Sequence, residues 1–333
     1  MGLMGSCGIV YTEGAGRGFF RVAFASNVRS AAMKMKRIMV GLAGAWWLLG
    51  GAARGEFVPG HIFVSEVRDT FCHKGGAPDR IWEIDPDTGE VSVFLELPEC
   101  VHLTGLTFTP DGSRLRGAAL VPSQILEFDS EGNITVALDA SDGIVGPEGN
   151  NLGYDNDGNF YVVNGSATLM RFPADGGPGT IIANFFDGVR SGASIDFAAD
   201  GDLYLCPGGD GGIPESMSYL LRFARPDWQV SIFDEYGLFS SPVQVVGDLS
   251  GDLYVRSNGQ VDGEVGVILR YHAGDVKSRE LLLSQLGGGV LLKMSPDQTH
   301  LYALNGKGGT RVLTIEVRDG SVTILAEISI FTF

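Results

Sequence analysis

Two carboxamides, Asn150 and Asn151, stand side by side in the stretch PEGNNLGYDNDGNFYVVNG (147–165), with the carboxylate of Glu148 just upstream. Oxygens grouped in this way suit a hard divalent cation such as calcium, which takes about six to eight of them. The same residues also serve structure, because Asn commonly satisfies backbone groups where a strand begins. A second constellation is Cys72-His73 with Cys100-x-His102. Two thiols and two imidazoles describe a disulfide in an exported protein, a small zinc or copper site, or a pair of free thiols. Cys206 is left over and reads as a small buried apolar residue. No Gly-x-Ser-x-Gly elbow, phosphate loop or dinucleotide fingerprint occurs in residues 56–333.

The elements that must position these groups form a repeat. A β-branched or aromatic run with a polar end recurs as HIFVSE (61–66), RLRGAAL (114–120), FYVVN (160–164), LYLC (203–206), LYVRS (253–257) and LYALN (301–305). Each is followed by a second run (IWEID, ILEFD, LMRFP, LLRFA, ILRYH, VLTIE) and then a third (VSVFLEL, ITVALD, TIIANF, VSIFDE, ELLLSQL, VTILAEI). A fourth precedes five of the six units: LTGLTFTPDG, NNLGYDNDG, ASIDFAADG, VQVVGDLSG and VLLKMSPDQ. Alternating apolar positions over about four to seven residues mark half-buried strands, and the DTG, SEG and RDG turns supply the glycine that tight hairpins need. Four antiparallel strands per unit, repeated about every 40–50 residues, predict an all-β fold, a six-bladed β-propeller of four-stranded antiparallel blades. The first unit lacks a recognisable inner strand. Either an irregular GEFVPG segment stands in its place or ISIFTF (328–333) fills the gap.

Residues 33–55 have a different character. Lys34, Lys36 and Arg37 precede an apolar run over 38–49 and a small-x-small end at Ala53-Arg54-Gly55, the order of a secretory signal peptide cleaved before Glu56. The apolar run is short of the roughly 20 residues that span a bilayer. The expected organisation is a non-native extension over 1–32, a signal peptide over 33–55 and one propeller domain over 56–333. That places the protein outside the cell or in the periplasm, with no membrane contact beyond the signal peptide. The 56–333 portion carries 17 basic and 39 acidic side chains, a net charge of −22. So large an acidic excess excludes nucleic acid and anionic lipid as partners.

The inner-strand pattern, x-N/D-G-hydrophobic…D-G followed by hLYhh-D/N, resembles the senescence marker protein (regucalcin)/gluconolactonase family, with blades similar to those of NHL-repeat propellers. The resemblance covers residues 57–328 at the level of blade pattern. It implies one divalent cation, typically calcium, at the mouth of the central channel. The implied ligands are a Glu and Asn or Asp side chains at the starts of inner strands, seven residues before the polar residue of each D-G turn. In this sequence those positions are Thr104, Asn150, Ala193, Val243 and Val290. Asn150 alone matches a family ligand, and Glu148, Asn151, Ser194 and Gln244 lie within two positions of the ring. One residue of shift turns a strand side chain to the opposite face, so these neighbours cannot all join Asn150 in the channel.

In such a blade the loops between second and third strands open on the same face as the linkers between blades. That face collects the long Gly- and Asp-rich loops, and ligand sites tend to lie on long loops over a rigid scaffold. Its expected residues are Glu66, Thr104, Glu148, Asn150, Asn151, Asn164, Ser257 and Asn305. Cys72 and Cys100 become neighbours there, which favours the disulfide. Among His61, His73, His102, His272 and His300, only His102 falls near the channel mouth, as a candidate general base. Asn133 (NIT) and Asn164 (NGS) match glycan acceptor sequons. The function expected is that of an acidic, exported, monomeric module that binds a small molecule, a glycan or a protein. The alternative is a gluconolactonase-like hydrolase dependent on calcium or another divalent cation.

Overall fold

Each apolar run becomes a strand because its alternate side chains meet two different neighbours. Phe63 packs to one side of its blade, whereas Ile62 and Val64 pack to the other. The structure is a computed structural model that describes residues 19–24, 56–67, 78–98, 101–165, 168–184, 194–206, 219–236, 242–286, 292–305 and 310–328.

Blade one is β1 (Phe19–Phe24), β2 (Ile62–Val67), β3 (Arg80–Ile84) and β4 (Val91–Glu96). Blade two is β5 (Leu103–Phe108), β6 (Leu115–Ala119), β7 (Gln124–Phe128) and β8 (Ile134–Leu138). Blade three holds β9 (Pro147–Tyr154), β10 (Phe160–Asn164), β11 (Thr168–Phe172) and β12 (Thr180–Asn184). Blade four holds β13 (Ser194–Phe197), β14 (Leu203–Cys206), β15 (Tyr219–Ala224) and β16 (Gln229–Glu235). Blade five is β17 (Pro242–Gly247), β18 (Leu253–Val261), β19 (Glu264–Tyr271) and β20 (Glu280–Leu283). Blade six is β21 (Leu292–Met294), β22 (His300–Asn305), β23 (Thr310–Glu316) and β24 (Val322–Ile328). Within every blade the strands pair antiparallel in chain order, so the six-bladed propeller expected from the repeat is the fold. A register shift separates the third and fourth strands of all six blades. Such bulges increase local twist, which the outer edge of a propeller blade requires.

The core is divided among the seams between blades. Phe63, Leu103 and Phe128 join blades one and two, and Ile125, Leu152 and Phe172 join two and three. Tyr161 with Leu205, then Tyr204 with Val255, then Tyr254 with Leu301, continue the ring. The last seam closes it, with Ile62, Val64 and Ile84 of blade one against Leu304, Val312 and Ile328 of blade six. Each fully buried Leu, Ile or Phe in such a seam contributes about 1.5–3 kcal/mol, so no single seam can be lost cheaply. The seam between blades one and two adds an aromatic group, Phe57, Phe63, Phe94 and Phe108, with ring centroids 5.0–5.7 Å apart.

The turn in DNDGNFYVVN is built by Asp155. Its Oδ1 accepts the N–H groups of Asp157 and Asn159, and its Oδ2 accepts the Tyr161 hydroxyl at 2.9 Å and Arg225 Nη2 at 2.8 Å. Blade five repeats the device with Asp248, which accepts Ser250 N, Asp252 N and the Tyr254 hydroxyl. Gly158 and Gly251 take positive φ (81° and 95°) inside these turns.

Blade one closes differently from either route read in the sequence. Its inner strand is β1, which pairs with β2 from Phe19↔Val67 to Phe24↔Ile62. GEFVPG does not take that slot; Ile328 belongs to the outer strand of blade six, and the rest of ISIFTF lies outside the described residues. The linkers that lead from an outer strand to the next inner strand cover 97–102, 139–146, 185–193, 236–241 and 284–291. Residues 25–61 stand between β1 and β2, which hides the pairing from a search for regular spacing. The leader-like run at 33–55 lies outside the described residues, and no described helix is long and apolar enough to cross a membrane.

Candidate ligand face and channel mouth

Each inner strand leaves its linker and enters the channel at the face where each second strand ends. The starts of β1, β5, β9, β13, β17 and β21 therefore meet the ends of β2, β6, β10, β14, β18 and β22 there. Glu148, Asn150 and Asn151 lie on β9, where the backbone brings Asn150 opposite Ser194 in a parallel contact between blades three and four. Their side chains are outside the described residues.

The other polar side chains near the ring bind the scaffold. Ser194 is fully buried, and its Oγ accepts Val245 N–H at 3.2 Å from the next blade. Gln244 Oε1 accepts Leu292 N–H at 3.0 Å, again one blade on. Asp196 Oδ2 accepts Gly247 N–H at 3.1 Å. Thr104 turns back to its own blade and donates to Ala118 O at 3.2 Å. Inner-strand N–H groups at the channel edge lack a ladder partner, so a side chain from the preceding blade supplies the acceptor.

The second-strand ends are also tied in. Asn164 Oδ1 accepts Val145 N–H at 2.6 Å, and Nδ2 donates to Gly143 O at 2.8 Å, so one carboxamide staples the linker from blade two to blade three. Glu66 is buried and its Oε2 accepts Trp82 Nε1–H at 2.9 Å. Ser257 is fully buried. Asn305 is half-buried, and its Oδ1 has no hydrogen-bond partner, as is true of both amide atoms of Asn258. His102 sits in the linker to blade two with φ 50°, a left-handed backbone, and its carbonyl accepts Leu120 N–H. Cys72, Cys100 and His73 lie outside the described residues. Cys206 is fully buried, and burial pushes its thiol well above the ordinary range. Among the described residues no three His, Cys, Asp or Glu side chains group as they would around a metal.

Three charged residues of this face escape a reading by residue type. Asp196 on β13 is half-buried. Burial pushes its carboxyl above the usual range, and Lys293 with the Gly247 and Phe197 N–H groups holds it back. Lys293 on β21 is half-buried. Arg256 on β18 is fully buried, donates from Nη1 to Leu304 O at 2.8 Å, and is pulled down to about 10 by burial. It remains cationic at neutral pH. Asp196 and Lys293 each lie three residues after the counted ring positions, an odd offset that turns a strand side chain to the opposite face, so the ring count does not mark them.

No family model matches the sequence, and no curated protein is similar to it in sequence. Solved structures are similar in fold. A chain of the nidogen/laminin complex aligns with a TM-score of 0.57 at 15% identity, covering 74% of this chain and 89% of that one. A putative TolB from Agrobacterium tumefaciens gives 0.57 at 15% identity, covering 74% and 87%. A gluconolactonase from Xanthomonas campestris gives 0.51 at 17% identity, covering 67% and 75%. Likeness at such identities carries fold and not activity. The chain is a six-bladed β-propeller whose blade pattern resembles that of gluconolactonase-like propellers.

Proposed function

We propose that this propeller is an exported ligand-binding module whose site is the channel mouth and the loop-rich face around it. The observation that carries the reading is the state of the ring. Thr104, Ser194 and Gln244, the described polar side chains nearest the positions a metal would use, are held by backbone groups of the scaffold. A metal centre of the gluconolactonase kind needs several free oxygens there. A binding site needs only a shaped mouth with a few directed polar groups. The basic–apolar–small order of residues 33–55 supports export, and cleavage before Glu56 would release a chain whose blade one lacks β1.

The second reading is a divalent-metal-dependent lactonase, favoured by the gluconolactonase among the fold neighbours. A thermal-shift screen of the purified protein against small organic acids, neutral sugars and glycans, run beside a lactone-hydrolysis assay with added calcium, separates the two. The binding reading expects at least one stabilising ligand and no calcium-dependent hydrolysis. Calcium-dependent turnover of a lactone overturns it.

A further inference from the structure

On the export reading proposed above, β1 cannot accompany the domain it completes. β1 (Phe19–Phe24) lies ahead of Lys34, Lys36 and Arg37, the basic residues that hold the amino-terminal side of a leader on the cytoplasmic face while the chain beyond the apolar run crosses. Cleavage before Glu56 then separates residues 19–24 from residues 56–333. The exported ring keeps β2, β3 and β4 of blade one, and the inner slot that β1 fills in the full chain is open.

The slot is shaped for one strand. β1 pairs antiparallel with β2 from Phe19↔Val67 to Phe24↔Ile62 and lies beside β5 of blade two and β21 of blade six. Without it, alternate N–H and C=O groups of β2 lose their partners, and such an edge pairs readily with a further strand. Residues directly opposite one another share a face of the sheet, so β2 also fixes what that strand must carry. Ile62 and Val64 are fully buried toward blade six, and Phe63 toward blade two. The register places Phe24, Ala23 and Val22 opposite Ile62, Phe63 and Val64, all of them apolar. Ser65 is different. It is fully buried, and its Oγ has no hydrogen-bond partner even with β1 in place, where Arg21 stands opposite. A buried hydroxyl without a partner is unfavourable, and a cross-strand Thr or Ser would supply one.

We propose that the exported chain is a strand acceptor. The slot beside β2 takes an extended segment of a partner protein, antiparallel to β2, with apolar residues opposite Ile62, Phe63 and Val64 and a hydroxyl residue opposite Ser65. β1 is the pattern for this occupant, since it is the strand seated there in the full chain. Alternate side chains of the segment enter the two seams that join blade one to blades two and six, so binding completes the ring as well as the sheet. A sugar or a small acid offers no row of backbone groups at strand spacing and cannot replace it.

The test uses the protein as an exporting host releases it, with its amino terminus read by mass. Hydrogen exchange over residues 62–67 is followed alone and with three synthetic peptides: FFRVAF, its Arg21→Thr form and a scrambled sequence of the same composition. Protein that starts at Glu56 is expected to exchange alternate amides of β2 rapidly. Saturating FFRVAF slows them about tenfold, the value for nine-tenths occupancy, and the scrambled peptide leaves them unchanged. The Arg21→Thr peptide binds about tenfold more tightly, and that advantage vanishes on a Ser65→Ala chain. If protein starting at Glu56 is protected by neither FFRVAF nor its Thr form, or if its β2 is already protected without peptide, the acceptor is overturned while export stands. Equal protection by the scrambled peptide, or equal affinity of the Arg and Thr forms, overturns the chemistry assigned to the occupant. A chain that is not exported, or that keeps residues 19–24 when exported, overturns the cleavage and the acceptor together.

Discussion

Replacing Asn164 with Ala distinguishes a linker staple from a ligand contact. In the fold the Asn164 carboxamide accepts Val145 N–H at 2.6 Å and donates to Gly143 O at 2.8 Å. Both partners lie in the linker between blades two and three, and both residues are exposed, so water can take over the freed backbone groups. That lowers the loss to about 1 kcal/mol per bond, below the figure for an orphaned buried group. The side chain itself is 7% exposed and rests against Met170, so truncation also leaves a small void. The sum is about 2–3 kcal/mol, or a fall in Tm of roughly 4–10 °C for a domain of this size. Differential scanning calorimetry at neutral pH measures it. Asn164→Asp keeps the acceptor for Val145 N–H but sets a carboxylate against Gly143 O. It should destabilise at pH 7 and recover in part below about pH 4, where the protonated acid donates. An Asn164→Ala chain with unchanged Tm and weakened ligand binding would refute the staple and make Asn164 a contact residue.

Further predictions follow from the same geometry. Asn164 is a sequon residue whose amide is buried and bonded, whereas Asn133 is exposed, so a glycosylating host should modify Asn133 and leave Asn164 bare by glycopeptide mass. Burial opposes ionisation of Asp155, but the Asn159 side chain and N–H, the Tyr161 hydroxyl and Arg225 outweigh it and hold the carboxyl below its ordinary range. Its contribution is therefore complete above about pH 4 and is lost as pH falls through the lower folded value. Asp155→Asn should lower Tm at neutral pH and flatten the acid limb; curves that stay parallel would contradict this. Truncation to residues 56–333 removes β1 and frees alternate N–H groups of β2 to the channel. Hydrogen exchange should accelerate at alternate amides over 62–67, and identical exchange in long and truncated chains would deny the β1–β2 pairing.

Most of the architecture was legible because propeller strands are short, alternate strictly and end in turns with an obligatory shape. DNDGNFYVVN announces its own fold: Asp155 must cap the turn, Gly158 must take positive φ, and Tyr161 must reach back to the carboxylate. Closure was not legible, since β1 lies before a leader-like run and shares no spacing with the other inner strands. The mouth was half legible. Counting seven residues back from each turn reaches Ala193 and Val290, both of which lie outside the described residues. Asp196 and Lys293 lie three residues further on, at positions that neither the count nor residue type marks. Ser194 and Gln244 looked like spare polar groups, yet their acceptors meet N–H groups of the next blade, a pairing that exists only once the ring has formed.

The central claim is that the mouth holds an organic ligand and no resident metal. Its most direct test is the calcium content of the purified protein after dialysis against trace calcium, with Tm compared in calcium and in chelator. The account predicts no stoichiometric metal and the same Tm in both. About one tightly held divalent ion per chain, released by chelator with a fall in Tm and lost in Asn150→Ala, would contradict it and restore the metal-dependent lactonase.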